Sequence, residues 1–492
     1  MQPNTLYCGD NLQMLRDHFP DESVDLVYLD PPFNSDKDYN YIYRGLAGVD
    51  DTAQAQAFAD TWSFADAATV FLEVTATGRP EAKLIDALHE AYGDAPMVAY
   101  LSVMALRVRE LHRVLKPTGS LYLHCDPTAG HYLKLLLDCV FDESCFRNEI
   151  IWHYRKWSTG RYTFQRNHDT LFFYTKADRN NHTFNQMFME RAASTRKRFG
   201  AAKIVSARDA AGRRLPSAVE DAESEGVRQD DVWDIARVAP VKQLYPTQKP
   251  LALLERVISA SSNVGDLVLD PFCGCATALV AAQTLGRQWC GIDITYLAVD
   301  VMRKRLSDSF PAVFPLPANV PVIGWPTDLA GARRLAADSP YDFQYWALHF
   351  IDANPPGGKK KKGADRGVDG EIWWRDGAAK LQHAVVSVKG GRSVTDTMLK
   401  DLITTVDAEK AAVGVFISLA NPTAPMRSRA AQAGDYELAG TSAKYARIQM
   451  LTIAELLGGK RPDLPKSSRL DPHKAADAAD EGSQVELDFN KP

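Results

Sequence analysis

Hydrophobic and polar positions along the first 300 residues alternate between two rhythms. Residues 23–30 (SVDLVYLD) form a mostly apolar run with β-branched and aromatic side chains, the pattern of a strand buried inside an α/β sheet. Residues 96–115 place apolar side chains at helical spacing, and Lys116, Pro117, Thr118 and Gly119 predict the end of that helix. A strand is predicted over 119–126 (GSLYLHCD), a helix over 131–141 (HYLKLLLDCVF), and two more strands at 149–154 (EIIWHY) and 169–175 (DTLFFYT). Farther along, DLVLD (266–270) predicts a short buried strand, PFCGCA a small-residue turn, TALVAAQTL a helix closed by Gly286, and QWCGID (288–293) the next strand. This order predicts a parallel, doubly wound α/β sheet, which binds ligands beyond the carboxyl ends of its strands.

The rhythm breaks in three places. Residues 177–240 pass from a basic stretch (Arg191, Arg196, Lys197, Arg198, Lys203, Arg208, Arg213, Arg214) into an acidic one ending near Asp234. An irregular segment of that length inside a domain is functional or disordered. Pro311, Pro315, Pro317 and Pro321 predict a linker over 311–321, which leaves 1–310 as the first domain. A smaller second domain is expected over 322–462, with amphipathic helices and a hairpin around Asp376-Gly377, and a polar, disordered tail over 463–492. Two or three domains suit a chain of 492 residues.

Composition narrows the function. A hydrophobic share of 45% and a charged share of 24% are ordinary for a soluble enzyme. A net charge of -5 argues against coating nucleic acid or an anionic membrane with the whole surface, so a polyanion would have to meet local basic patches. The 7 cysteines include no Cys-x-x-Cys pair and read as reduced thiols. No apolar run approaches the roughly 18 residues that a membrane span needs, and a cytoplasmic setting is expected.

Two turns carry the chemistry. After Asp30, Pro31 and Pro32 have no N–H and fix φ, so the segment is stiff and its carbonyls are free to accept. The Asp30 carboxylate, the Pro31 carbonyl and the Phe33 ring suit a planar heterocycle bearing an amino group. Such a nitrogen is a poor nucleophile until two acceptors hold its hydrogens out of plane. Read by itself, the same stretch is also a proline-terminated strand. The second turn, Asp270 to Ala276, carries Gly274 at a helix N-terminus, where a ligand can approach the backbone. Asp293 ends the next strand, placed to accept from ribose hydroxyls. The G-x-G-x-x-G pattern is absent and Asp270 is acidic, so a cationic cofactor suits this turn better than a dinucleotide; a turn that only packs helix on sheet is the plain alternative.

Taken together, these residues resemble the amino-methylating DNA methyltransferases that use S-adenosylmethionine. Asp30-Pro31-Pro32-Phe33 is similar to their catalytic motif, Asp270-Pro271-Phe272-Cys273-Gly274 to their cofactor loop, and Tyr245 to Pro250 to the segment that closes over the methionine part. The resemblance implies a Rossmann-like methyltransferase fold in the permuted beta order, with target recognition in 177–240. It implies catalytic roles for Asp30, Pro31, Pro32 and Phe33, and cofactor contacts from Asp10, Thr247, Lys249, Asp270, Phe272, Cys273, Gly274 and Asp293. Asn167 to Tyr174 would line the base pocket. Asp-Pro-Pro-Phe is the adenine-N6 type, whereas cytosine-N4 enzymes usually begin with Ser. Cys275-Ala276 stands where the family usually has Ser-Gly. Double-stranded DNA is the implied partner, with Arg191, Arg196, Lys197 and Arg198 meeting phosphates unless that stretch is only a solvated loop. Family members often form homodimers.

The second domain carries GADRGVDGEIWWRDGAAKLQHAVVSVKGG (363–391), which reads as a strand, an Asp-Gly turn region and a strand, and this stretch resembles the Mrr-like restriction endonucleases. If residue 375 pairs near 382, Asp369 falls opposite about 388, close to Lys389, with Ser387 on the face of Lys389. An acid beside a lysine suits Mg2+-assisted phosphodiester cleavage, with Asp369 and Glu371 as ligands and Lys389 orienting water. Ser387 stands where Glu or Gln is usual, and Gln344 where a helix glutamate is common. A DNA-binding module without cleavage therefore stays open beside a nuclease. A chain whose catalytic folds are both vestigial is the contrasting reading of the whole.

Overall fold

The computed structural model describes residues 1–32, 63–156, 162–177, 181–191, 226–239, 248–354, 367–376 and 380–465. It also describes Ser194, Lys197, Arg213 and the backbone of strands 38–43, 53–59, 202–205 and 218–223. Phe33, Arg196, Arg198, Thr247, Gly377 and the lysines at 359–362 lie outside the described residues.

A 9-stranded sheet organises the first domain. Its order is Val232–Asp234, Phe146–His153, His168–Thr175, Leu115–Cys125, Val24–Leu29, Leu267–Asp270, Gln288–Asp293, Thr5–Cys8 and Val322–Ile323. The His168–Thr175 strand is antiparallel to both of its neighbours, and the other pairings are parallel. Because strand side chains alternate, Val24–Leu29 feeds two cores at once. Leu26 and Tyr28 pack with Leu253, Val257 and Leu279, on the side of helices Leu251–Ser261 and Thr277–Thr284. Val27 and Leu29 pack with Leu101, Val108 and Leu136, on the side of helices Pro96–Val114 and Gly130–Phe141.

Three boundaries differ from the pattern-based expectation. The strand expected to open at Gly119 opens at Leu115, which pairs with Val24 before the register shifts to Ser120 opposite Leu26. Lys116 to Gly119 bulge between these pairs, held by the Lys116 ammonium 2.8 Å from both oxygens of Asp25. Val322–Ile323, expected at the start of the second domain, pairs with Leu6 and Tyr7 and completes the first sheet. The first residues of the expected tail pack on the domain: Leu464 is buried, and Asp463 exchanges hydrogen bonds of 2.8 and 2.7 Å with Gln449, while residues 466–492 lie outside the described ones.

The second domain is a 4-stranded sheet ordered Gly370–Asp376, Lys380–Lys389, Val413–Ser418, Ile448–Thr452. Helices Leu329–Asp338 and Pro340–His349 cover one face through Ala332, Phe343 and Trp346. Helices Asp396–Ala408 and Ala424–Gln432 cover the other through Leu399, Leu402 and Met426. The hairpin register is one residue tighter than expected, with Arg375 opposite Leu381 and Gly370 opposite Val386. Among the described residues, no helix is long and apolar enough to cross a membrane.

Candidate active site

The sheet brings together residues that the chain keeps far apart. Leu26 pairs with Val268 and Val27 with Leu269, so the strands leading into Asp30 and Asp270 are neighbours running the same way. Asp270 pairs with Gly291, and Asp293 with Cys8. Asp30, Asp270, Asp293 and Asp10 therefore share the carboxyl edge of four adjacent strands, where open α/β sheets hold ligands.

The 270–276 turn is densely tied. The Phe272 N–H donates to Asp270 Oδ1 at 3.1 Å, and Asn11 Nδ2 donates to the Pro271 carbonyl at 2.9 Å. Gly274 and Ala276 adopt left-handed φ values of 53° and 64°. The Gly274 N–H reaches Asp293 Oδ2 at 3.0 Å, while Asp293 Oδ1 accepts from the N–H and hydroxyl of Thr295 at 3.0 and 3.1 Å. Arg305 clamps the far side, donating to the Cys275 carbonyl at 2.6 Å and Thr277 Oγ1 at 3.0 Å.

Burial lifts Asp270 to about 8; the Phe272 N–H works against this, and the charges of Asp30 and Asp293 add to it. Burial likewise lifts Asp293 to about 6, moderated by the Thr295 and Gly274 N–H groups. Two buried acids raised in this way fit a cationic group, because a positive ligand would stabilise the carboxylates that burial disfavours. The residues present thus suit the sulfonium and ammonium charges of S-adenosylmethionine.

Asp30 is differently placed. Its Oδ2 is ion-paired with the Lys249 ammonium, whereas its Oδ1 is buried with no hydrogen-bond partner among the described residues. No described residue donates to the Pro31 carbonyl. Beside the turn runs a polar chain. The Tyr28 hydroxyl lies 3.0 Å from His124 Nδ1, His124 Nε2 lies 3.5 Å from Asp169 Oδ2, and the Tyr154 hydroxyl donates to Asp169 Oδ1 at 3.1 Å. Burial acts to raise the Asp169 pKa, but His124, Lys249 and Tyr154 outweigh it and hold it below the ordinary carboxylate value.

Sequence reasoning missed Tyr28, His124, Asn11 and Arg107. Alternation alone could have flagged Tyr28, which shares the face of Asp30 two residues earlier. Asp10, expected to face the cofactor, caps helix Asn11–His18 through Gln13 N and pairs with Arg107 Nη2 at 2.5 Å. Arg107 Nε in turn reaches Asn11 Oδ1 at 2.6 Å, so this stretch is a strut leading to Pro271. Lys249, expected at the cofactor, pairs with Asp30 in this structure. In the recognition segment Arg191 is half-buried and Lys197 exposed.

In the second domain Asp369 Oδ2 accepts the Val388 N–H at 2.6 Å, with Ser387 Oγ at 3.5 Å and Lys389 Nζ at 3.8 Å. Glu371 Oε2 accepts from the Trp373 indole at 3.0 Å. No group of three or more metal-ligating side chains converges among the described residues.

Comparison with known proteins identifies the families of both domains. Residues 24–304, more than half of the chain, match the DNA methylase family of N6 and N4 methyltransferases, and the chain belongs to that family. Residues 335–443 match a restriction endonuclease family of the Mrr type. The chain is 27% identical over 322 residues to the DNA adenine methyltransferase YhdJ of Escherichia coli, covering 63% of this chain and 86% of that one. It is 26% identical over 308 residues to the type II methyltransferase M.HpaI of Haemophilus parainfluenzae, covering 62% and 74%. Among solved structures, a putative DNA modification methylase from Thermus thermophilus complexed with S-adenosyl-L-methionine aligns at 19% identity and a TM-score of 0.36, covering 65% and 97%. The chain is a DNA methyltransferase and carries a restriction-endonuclease-type domain behind it.

Proposed function

We propose that the methyl acceptor is N6 of an adenine in double-stranded DNA, and that Asp30 and Pro31 activate it. One observation carries the activation: Asp30 Oδ1 is buried without a partner among the described residues, at the same turn as a Pro31 carbonyl to which no described residue donates. The choice of adenine rests on Asp30, where cytosine-N4 enzymes usually carry Ser. Together they offer two acceptors to the two hydrogens of an exocyclic amino group and turn its lone pair away from the ring. The proton leaves after attack, so no strongly perturbed base is required. S-adenosylmethionine supplies a methyl group activated by a sulfonium centre.

A paired adenine cannot reach this edge, so the base has to be flipped out at a cost of a few kcal/mol, offset by stacking and pocket hydrogen bonds. Phe33 is the ring assigned to that stacking, and Asn167 to Tyr174 the pocket wall. Asp270, Asp293, Phe272, Cys273 and Gly274 hold the cofactor in this reading, and Lys249 is exchanged between Asp30 and the cofactor's carboxylate. Arg191 and its neighbours serve the phosphates. The same family reading carries a homodimer and a cytoplasmic setting; sedimentation of the pure protein tests the first.

Incubation with unmethylated genomic DNA, labelled S-adenosylmethionine and Mg2+, followed by base mapping, is the decisive experiment. N6-methyladenine at a fixed sequence is expected. N4-methylcytosine would transfer the same geometry to the other amino base and overturn the adenine assignment.

A second reading concerns the C-terminal domain, which we infer binds DNA with weak or no cleavage. Ser387, 3.5 Å from Asp369, supplies no charge where a second carboxylate would complete a Mg2+ site. Counting strand breaks in the same incubation checks it. Ser387→Glu is expected to raise Mg2+-dependent breakage above the parent protein, and efficient cutting by the parent would refute the inference.

A further inference from the structure

Two aromatic side chains stand free near the catalytic edge. Tyr162 and Phe164 are 97% and 100% exposed. A single exposed apolar residue needs no explanation, but here two rings alternate within one loop between exposed Arg155, Lys156 and Arg166. None of these three cations forms an ion pair with a described residue. Lys156 and Arg237 instead lie 5.7 and 5.1 Å from the Tyr154 ring, concentrating positive charge at the foot of the loop. In a chain of net charge -5, such a cluster is a local choice of partner.

Topology fixes where this loop emerges. The Phe146–His153 strand is antiparallel to His168–Thr175, which is antiparallel to Leu115–Cys125, itself parallel to Val24–Leu29. The end of the first and the start of the second therefore lie on the edge that carries Asp30. The Tyr154 N–H donates to the Asn167 carbonyl at 2.8 Å and closes the foot of the loop. Through Tyr154, Asp169, His124 and Tyr28 that foot is linked by hydrogen bonds and the 3.5 Å approach of His124 to Asp169 to the strand that leads into Asp30.

We propose that Tyr162 and Phe164 insert into the DNA base stack beside the flipped nucleotide, while Arg155, Lys156 and Arg166 neutralise the flanking phosphates. This rests on the methylation reading above. Extruding a base leaves a gap whose lost stacking must be replaced, and an aromatic ring replaces it without reading sequence. Rings that are fully exposed in the free protein gain the most by being covered in this way.

The test uses the full chain and a duplex containing the mapped target, in two forms: the target base correctly paired, or opposite a mismatch that already makes extrusion easy. The double variant Tyr162→Ala/Phe164→Ala touches no core and should keep S-adenosylmethionine binding, measured by calorimetry. Its methyl transfer to the paired target should fall by about ten- to a hundredfold, and most of the loss should vanish on the mismatched target. Equal loss on both duplexes, or none on either, would overturn the proposal. Arg155→Ala/Arg166→Ala should weaken both duplexes alike and lower the slope of log affinity against log salt by about 2. A parent protein that methylates no DNA would sink the methylation reading itself, a result distinguishable from failure of the loop proposal.

Discussion

Asp30-Pro31-Pro32 and Asp270-Pro271-Phe272 begin alike, end adjacent strands and face the same edge, yet one is open and the other closed. The decisive difference is the third residue. Phe272 has an N–H that folds back to Asp270 Oδ1 at 3.1 Å, a bond that Pro32 cannot make. Asn11 then occupies the Pro271 carbonyl, while no described residue occupies that of Pro31. The closed turn spends its polar groups on holding its own shape. On the function proposed above, the open turn keeps an acceptor pair for a group that arrives only with substrate. A second proline thus works by withholding a donor, at a position where a buried unsatisfied oxygen would otherwise only cost stability.

Removing the open acceptor should have the largest effect. Asp30→Ala is expected to cut methyl transfer by about a thousandfold or more while S-adenosylmethionine binding persists. Label transfer and calorimetry check the two halves, and undiminished transfer would break the comparison at its root. Closing the open turn should come next. Pro32→Ala supplies an N–H that can bond Asp30 Oδ1, and transfer should fall by about five- to a hundredfold with cofactor affinity unchanged. A loss of cofactor affinity instead would show that the two turns do not divide their work as described.

The closed turn makes a prediction in pH. Because the folded-state pKa of Asp270 is raised to about 8, its contribution to stability is fully present below the unfolded value near 3.8 and is lost as pH rises through about 8. A cationic ligand prefers the carboxylate, so S-adenosylmethionine affinity should move the other way, strengthening with pH by up to about tenfold per unit until about 8. Asp270→Asn should flatten both dependences and weaken binding, read by thermal melts and calorimetry across pH 5 to 9. An unchanged binding profile would remove Asp270 from the cofactor site. The smallest effect belongs to Ala276, whose left-handed φ of 64° suits glycine better. Ala276→Gly should relieve strain but add chain entropy, for a net gain of no more than about 1 kcal/mol in denaturant melts.

Much of this was legible in the residues. The Gln288–Asp293 strand agrees with the pattern-based prediction at both ends, because its apolar run is bounded by Gly286 and Asp293. The Leu115 start was not legible, since the bulge that absorbs Lys116 to Gly119 depends on Asp25 across the sheet. The one-residue error in the Arg375 to Leu381 register has a similar origin, in a turn whose pairing the apolar pattern does not specify. That Lys249 reaches Asp30 was not legible either, since no local sign in the sequence joins two residues so far apart in the chain.

By itself the sequence determined that two stiff, acid-led turns would close two buried strands, since proline geometry and apolar runs act over a few residues. It also determined that the first turn lacks the N–H that closes the second. Only the tertiary structure decided that they stand side by side, and which donors come to them from elsewhere in the chain: Asn11 to Pro271, Lys249 to Asp30, and the Tyr28–His124–Asp169 chain beside them. Whether a buried oxygen is satisfied depends on every chain segment that the sheet gathers around it, and that is settled by strand order rather than by local pattern.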